Sequence, residues 1–481
     1  MNIFRNDMAK KLTLTLSLLC LYLGMSGQET WGLQKCIDYA MEHNLQIKSG
    51  ELNSDLAQIN LKQAKHSLFP SLSASVNTGW NFGRTIDPTT NVFNTQTFFN
   101  NGYGLNSSLV LFNSGALRNT IKKSQMDSEV SGLNLKQITR DLSINIASLY
   151  LTAVYAIENE KIAKTQLDNS KAQREKLIKS IDAGLKSKNE IYNLDAQVAL
   201  DNQKLVTAVN SVSSAMLSLK LAMRLDSNTE MQLEIPQGIE LLTDAQRLSL
   251  DELYDTATKN QPSLLAARKR VESAQINENI ANSQRLPKLY FGANLNTNYS
   301  NKGLTVTGVD EQRIYQDIYI NGQQVSIGQD VDIPIYEKQK YFDQLNQNLS
   351  YGFGFQMSIP IYENYQNQAS IDRARIQTKA ELNQLNIEQD NFKSTLMQSL
   401  NDAKNAKFSL DAAQSNYEMS LSAYENAKKS YDLGAINNYE LLNLQSQMNI
   451  AQNNLLTAKY DYIFKLKVLD FYLGKPIVLN Q

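Results

Sequence analysis

The chain has 481 residues, with 47 Lys and Arg against 48 Asp and Glu and a formal net charge of −1, so its charge gives no reason to expect nucleic acid as a partner. It has only 8 Pro and 21 Gly, few for an all-β chain of this length and suited to long uninterrupted helices. Hydrophobic residues make up 42% and the mean hydropathy is −0.39, which excludes a bundle of membrane helices.

Residues 1–26 read as an export signal. Arg5, Lys10 and Lys11 are followed by an apolar run from Leu12 to Met25, and Gly24 and Ser26 occupy the −3 and −1 places of a cleavage after Ser26. At 14 residues the run is too short to cross a bilayer. Cys20 opens a second reading, a lipoprotein signal, against which stands the large Leu19 before it. Cleavage removes three basic residues and Asp7. The mature charge is then −3, and Cys36 is the single remaining cysteine, so no disulfide can form within the chain. No later stretch is expected to cross a bilayer as a helix. An exported chain of that kind is soluble or a β-barrel.

The mature chain repeats itself. Residues 33–77 fall on 250–294 when shifted by 217, with Ala57-Gln58-Ile59-Asn60 meeting Ala274-Gln275-Ile276-Asn277 and Pro70 meeting Pro287. A second block matches at a shift of 250, where Gly184 meets Gly434, Glu190 meets Glu440 and Gln197 meets Gln447. We divide the chain into repeat 1 at 27–235, a linker at 236–249 and repeat 2 at 250–481.

Each repeat opens with a helix, Leu45–Leu68 or Ser263–Arg285, that Pro70 or Pro287 stops. A stretch of period two follows. Leu72, Ala74, Val76, Thr78 and Trp80 alternate with small polar residues, as do Leu289, Phe291, Ala293 and Leu295. The partner strands are expected to place Tyr103, Leu105, Ser107, Leu109 and Leu111 on one face, and Phe353, Phe355, Met357, Ile359 and Ile361 on the other hairpin's equivalent. Segments of roughly 10 residues with an apolar face and a small polar face are the pattern of membrane barrel strands. The connections Arg84–Asn101 and Ser300–Ser350 are polar and long, and are expected to be extracellular loops.

Two long helices close each repeat. Gln366–Leu433 and Ala435–Leu473 contain neither Gly nor Pro. A helix of that first length is on the order of 100 Å long and has to pack sideways as a coiled coil. Heptad stripes are present, such as Leu410, Tyr417, Tyr424 and Tyr431 beside Ala413, Ser420 and Ala427. In repeat 1 the stripe Ile191, Val198, Leu205, Val212 and Leu219 runs beside Leu194, Asp201, Ala208, Ala215 and Ala222. Between the helices, Gly184 and Gly434 suit a left-handed C-cap, Ser187 and Asn437 an N-cap, and Glu190 and Glu440 the far end of a capping box. Two β-hairpins give four strands, too few to close, since the smallest membrane barrels have about eight. Open edges are not tolerated in lipid, so the chain is expected to oligomerise.

Three segments together carry a family resemblance: Leu68-Phe69-Pro70-Ser71-Leu72, Leu109-Val110-Leu111-Phe112-Asn113-Ser114-Gly115, and Tyr431-Asp432-Leu433-Gly434 with Glu440-Leu441-Leu442. The chain resembles the TolC-like outer membrane efflux proteins, or outer membrane factors, from Leu33 to Gly474. The resemblance implies a mixed α and β fold: a trimeric 12-stranded outer-membrane β-barrel, four strands per chain, continued by a long α-helical coiled-coil barrel in the periplasm. It also implies a homotrimer in outer-membrane lipid that acts as the passive exit duct of a tripartite efflux or type I secretion system. Such a duct is opened by docking of a periplasmic adaptor (a membrane fusion protein) and an inner-membrane transporter. By position it puts an equatorial segment at Asp226–Ser249 and a periplasmic gate at Gln173, Glu190, Tyr431, Glu440 and Asn443. Asn443 stands where the family often has an aspartate, and Ile436 where it carries a gating arginine, so the family's salt-bridge latch is not expected intact.

No catalytic constellation is visible. His43 and His66 are the only histidines, and with one mature cysteine they cannot build a zinc or copper site. There is no phosphate loop and no nucleophile elbow. No cofactor, no metal and no enzymatic activity are expected. The rival reading is an exported, non-conducting coiled-coil spacer or adaptor, which would not need two amphipathic hairpins.

Overall fold

A computed structural model describes residues 30–86, 91, 93–95, 97–235 and 248–475. The export signal with Cys20, residues 236–247 of the linker and the residues after 475 lie outside them. Repeat 1 comprises β1 (Thr30–Trp31), α1 (Leu33–His43), α2 (Leu45–His66), β2 (Ser71–Asn81), β3 (Thr85–Ile86), β4 (Phe93–Asn94), β5 (Phe98–Phe112), α3 (Ala116–Asp182), α4 (Glu190–Met223) and β6 (Gln232–Leu233). Repeat 2 comprises α5 (Leu250–Asn260), α6 (Pro262–Ser283), β7 (Lys288–Ser300), β8 (Leu304–Ile320), β9 (Gln323–Lys338), α7 (Tyr341–Gln347), β10 (Ser350–Ser358), α8 (Gln366–Asp432) and α9 (Asn438–Tyr472). The chain divides into two compact units that each draw on both repeats. One holds residues up to Ala57, Asp127–Val271 and everything from Ala380. The other holds Gln58–Met126 and Glu272–Lys379.

The second unit is built on an antiparallel four-stranded sheet in the order β10-β7-β5-β2. Register sorts its side chains into two faces. Leu72 to Trp80 at every second residue stand level with Tyr103 and Leu105, then Leu295 and Phe291, then Phe353 and Phe355. The opposite face carries Ser73, Ser75, Asn77, Asn106, Asn294, Asn296 and glycines. Rings cluster at both ends of the apolar face. Trp80 and Phe99 lie 4.9 Å apart at one end, and Phe291 and Phe355 lie 5.4 Å apart at the other. A bulge between Val110 and Phe112 puts Phe112 opposite Leu289, the place strict alternation gives to Leu111. β10 ends at Ser358, so Ile359 and Ile361 lie beyond the sheet.

The connection Ser300–Ser350 is not an open loop. It folds into the hairpin β8–β9, paired from Leu304↔Lys338 to Ile320↔Gln323, followed by the short helix α7. Asn321 and Gly322 form its two-residue turn, both at positive φ (53° and 83°), as a type I′ turn requires. In the first connection, Thr85–Ile86 pairs with Phe93–Asn94.

The first unit is helical. α3 and α8 have 67 residues each, and α4 and α9 have 34 and 35. Leu194, Asp201 and Ala208 are the buried heptad stripe of α4. Two short helices that the sequence reading did not separate, α1 and α5, plug equivalent cores. Cys36, Ile37 and Ala40 pack with Tyr150, Val154, Leu219 and Ile463; Leu253 and Ala257 pack with Leu396, Ala403 and Leu469. β1 and β6 pair in parallel, and the Tyr150 hydroxyl lies 2.5 Å from the carbonyl of Glu234 and 3.3 Å from that of Trp31. Asp226–Ser249 therefore begins by clamping the start of the described chain. One helix corrects the sequence expectation about apolar stretches: Glu190–Met223 contains an 18-residue window of mean hydropathy 1.3, long and apolar enough to cross a membrane.

Burial pushes the Cys36 thiol up to about 12, so at neutral pH it holds almost no thiolate, the reactive form. In the folded protein Cys36 is expected to react with a maleimide at least about 100-fold more slowly than in the urea-unfolded chain at pH 7.5. Equal labelling rates would show that the α1 core is open.

Candidate functional site

The two inter-helix turns begin alike. At Gly184 (φ 75°) the Gly184 N–H donates to the Ile181 carbonyl at 2.8 Å, and Leu185 N–H to that of Ser180 at 2.9 Å. At Gly434 (φ 78°) the matching bonds run to Tyr431 at 3.0 Å and Ser430 at 2.8 Å. This pair of bonds is the Schellman stop, which needs a left-handed residue that glycine adopts without strain.

Beyond the stop the turns differ. Asn437 caps α9, its Oδ1 accepting from the Glu440 N–H at 2.9 Å. Ser187 does not cap α4. Its Oγ accepts from Asn189 N–H at 3.3 Å, while its carbonyl accepts from Glu190 N–H at 3.2 Å, and the helix starts only at Glu190. The capping box expected in both repeats is therefore absent from the first. A serine oxygen two residues from an N–H closes a tight local turn instead. In the second repeat only the Asn437 half of the box is formed, and the Glu440 carboxylate is exposed.

The two glutamates accordingly occupy different surroundings. Glu190 is half-buried, with Oε2 enclosed and without a hydrogen-bond partner. It lies near Tyr431, whose hydroxyl is held above its ordinary pKa by burial first, then by the charges of Glu190 and Asp432. Lys186 Nζ sits 4.6 Å from the Tyr431 ring centroid, and Lys176 pairs with Asp432 at 3.0 Å. Gln173 does not meet Tyr431. Its Nε2 donates to Gln445 Oε1 at 3.1 Å, and it hydrogen-bonds the half-buried Tyr424, which burial otherwise pushes up. Asn443 is exposed. The structure thus brings Glu190 to Tyr431, and Gln173 to Gln445 and Tyr424, and leaves Glu440 and Asn443 in solvent. Sequence reasoning missed Gln445, Lys186, and the exposed leucines beside the turns, Leu185 at 77% and Leu433 at 86%. The leucines had a signal, since an apolar residue flanking a glycine stop has no core to enter.

In the other unit, the polar sheet face forms a groove lined by Ser75, Asn77, Gly104, Asn296, Asn298 and Ser350. A Cβ at Gly104 would fall 2.8 Å from Ser75 Oγ and 3.0 Å from Asn296 Oδ1, so that face stays shallow because its residues are small. Among the described residues no group of His, Cys, Asp and Glu could hold a metal ion.

The family model described as "Outer membrane efflux protein" matches residues 36–235 and 253–475. The chain belongs to the outer membrane efflux protein family. It is an outer-membrane exit duct for efflux, a transport protein, and the reading as a non-conducting spacer is not favoured. Solved structures share the fold. CusC superposes at a TM-score of 0.72 with 15% identity, over 94% of this chain and 96% of that one. The CmeC outer membrane channel of Campylobacter jejuni does so at 0.70 and 16%, over 92% and 85%. The open state of the MtrE outer membrane channel of Neisseria gonorrhoeae gives 0.69 and 17%, over 93% and 90%. No curated protein sequence matches the chain.

The asymmetry of the turns is measurable. Asn437→Ala is expected to cost about 1 kcal/mol of local stability, the usual value of a lost N-cap, and Ser187→Ala close to nothing. Hydrogen exchange at the first turns of α9 and α4 reads both. Equal deprotection in the two variants would mean that Ser187 caps after all.

Proposed function

We propose that three copies of this chain close a 12-stranded barrel in outer-membrane lipid, from which their long helices continue into the periplasm as one coiled-coil conduit. The observation that carries this reading is the sheet β10-β7-β5-β2, which ends at β10 and β2 without partners and presents an apolar face ringed by aromatics. Unpaired strand edges cost several kcal/mol per polar group in hydrocarbon, so a neighbour's β2 against β10 is the pairing that removes both edges. The helices support the same assembly. α4 leaves Val206, Leu217 and Leu221 between 45% and 63% exposed, a surface that a second copy can cover.

The conduit is passive. Its gate lies at the turns, at Gln173, Glu190, Tyr431, Glu440 and Asn443, with Gly184, Ser187, Gly434 and Asn437 shaping the turns themselves. Six turns converge in a trimer. The exposed Glu440 carboxylates ring the mouth, while Glu190 Oε2 is enclosed within its own chain beside Tyr431. Like charges this close favour cations. Leu185 and Leu433 give a periplasmic adaptor an apolar foothold, through which it and an inner-membrane transporter open the duct. Tripartite efflux and type I secretion both use an exit of this kind.

Light scattering in mild detergent is expected to give three times the mature chain mass; a stable monomer sinks the architecture. In planar bilayers Glu440→Gln is expected to lower cation preference, and Tyr431→Phe, which removes the hydroxyl beside Glu190, to raise conductance. Unchanged values in both variants would move the gate elsewhere.

A further inference from the structure

The hairpin β8–β9 carries two unlike faces. Because opposed residues of an antiparallel pair point the same way, its register puts Ile314, Ile318 with Val325, Ile327, Val331 and Ile333 on one side. That side also carries the uncharged Gln312, Gln316, Gln323 and Gln329, and its two charges, Asp310 and Glu337, lie towards the hairpin base. The other side carries Glu311 opposite Asp332, Arg313 opposite Asp330 with an ion pair at 3.4 Å, and Asp317 bonded to Gln324 at 2.7 Å. Water suits the second face. The first is a strip of branched apolar side chains left in the open, with Ile314 at 48%, Val325 at 41%, Ile327 at 47% and Ile333 at 36% exposed.

The base of the hairpin is anchored to the sheet. At the hairpin base Gln344, 1% exposed, donates from Nε2 to the Ser300 carbonyl at 2.9 Å and accepts at Oε1 from the Ser300 N–H at 2.9 Å. Asn348 Nδ2 donates to the Asn298 carbonyl at 2.8 Å, and the Tyr341 and Tyr103 hydroxyls are 2.5 Å apart. β10 starts opposite Asn296, so α7 stands where β10 does not reach, beside the last residues of β7. The hairpin therefore springs from the same edge of the sheet at which a neighbouring copy pairs.

We infer that the Ile and Val face of each hairpin packs against the same face of the hairpins of the other copies, forming a stalk outside the membrane. The inference rests on the trimeric reading above. Three observations favour this occupant. The face springs from the seam between copies. The hairpin as a whole, from Leu304 to Lys338, includes six acidic and two basic side chains, which disfavours lying on an anionic lipid surface. Its size also fits a contact between copies. At the observed exposures each side chain offers on the order of 70 Å², or about 400 Å² per hairpin, half of what a stable complex with a separate partner buries. Copies already joined at their strand edges need no more than that, because the contact is then effectively intramolecular. Two facing sheets interlock at a spacing of about 10 Å.

The mature chain offers one cysteine, Cys36, which is buried, so an added thiol on the hairpin is the accessible one. Ile327→Cys and Ile320→Cys place it on the apolar face, and Tyr319→Cys, 73% exposed before substitution, on the other. Outer membranes carrying each variant are treated with a bifunctional maleimide of about 10 Å reach, and untreated samples are sized by light scattering. Both isoleucine variants are expected to cross-link to twice the chain mass, and Tyr319→Cys is not. Ile314→Asp added to Ile327→Cys is expected to cut the yield about tenfold, the effect of losing roughly 1.4 kcal/mol, with the trimer intact. A trimer in which neither isoleucine variant cross-links, or in which Tyr319→Cys links equally well, overturns the stalk and leaves the trimer standing. A monomer by light scattering overturns both.

Discussion

A backbone N–H or C=O cannot go unpaired in hydrocarbon, and the rest of this molecule follows from that. The sheet of the second unit satisfies this rule internally between β10 and β7, β7 and β5, and β5 and β2, and fails it at its two outer strands. A soluble protein would cover such edges with a helix, a charge or a bulge. Here β2 and β10 run bare, with small polar residues on one face and Leu, Phe, Tyr and Trp on the other. Both faces and both edges fit the proposed closed wall between lipid and water.

The two repeats read from the sequence supply two strands each to the sheet, and they differ in three places. The cores that α1 and α5 plug remain equivalent, because an α-helix inserted between two long helices tolerates little change in volume. The turns have separated. Asn437 makes a capping bond that Ser187 lacks, and Glu190 is half-enclosed while Glu440 is exposed. The connections within the two β-hairpins differ most, the first holding the short pair β3–β4 and the second β8, β9 and α7. Insertions there are cheap, since the entropy of closing a loop grows only with the logarithm of its length.

Much of this was legible in the residues. Period-two alternation gave the strands, the long Gly- and Pro-free stretches gave the helices, and the repeat aligned the two halves. The failures are physical as well. The bulge at Leu111 shifts a face by one residue, and nothing in an alternating string marks it. The segment read as a polar loop carries a hairpin signal: Asn321-Gly322 sits between two alternating runs rich in Ile and Val. Interspersed Gln and Asp masked it. At the turns, composition correctly marked the glycine stops, but it could not tell that Ser187 would close a local turn rather than a cap, nor that Gln173 would find Gln445. Those outcomes depend on atomic distances of a few tenths of an ångström.

The packing of the first unit bears on the proposed gate at the turns. Near α1 and α5 the contacts are apolar and dense: Ile146, Leu219, Met223, Leu396 and Leu469 are fully enclosed. Towards the turns the buried Leu177, Leu194 and Leu441 are interspersed with enclosed polar residues that are incompletely bonded, among them Gln166, Glu190, Asp201, Asn438 and Asn449. A close-packed apolar contact has one good arrangement, since any slide opens a void. A seam of partly satisfied amides and carboxylates has several of similar energy, because each group lost from one partner can bond to water or to another. Helices held mainly by the first kind of contact at one end and with more of the second at the other yield more readily at the second, which is the end to which the gate is proposed.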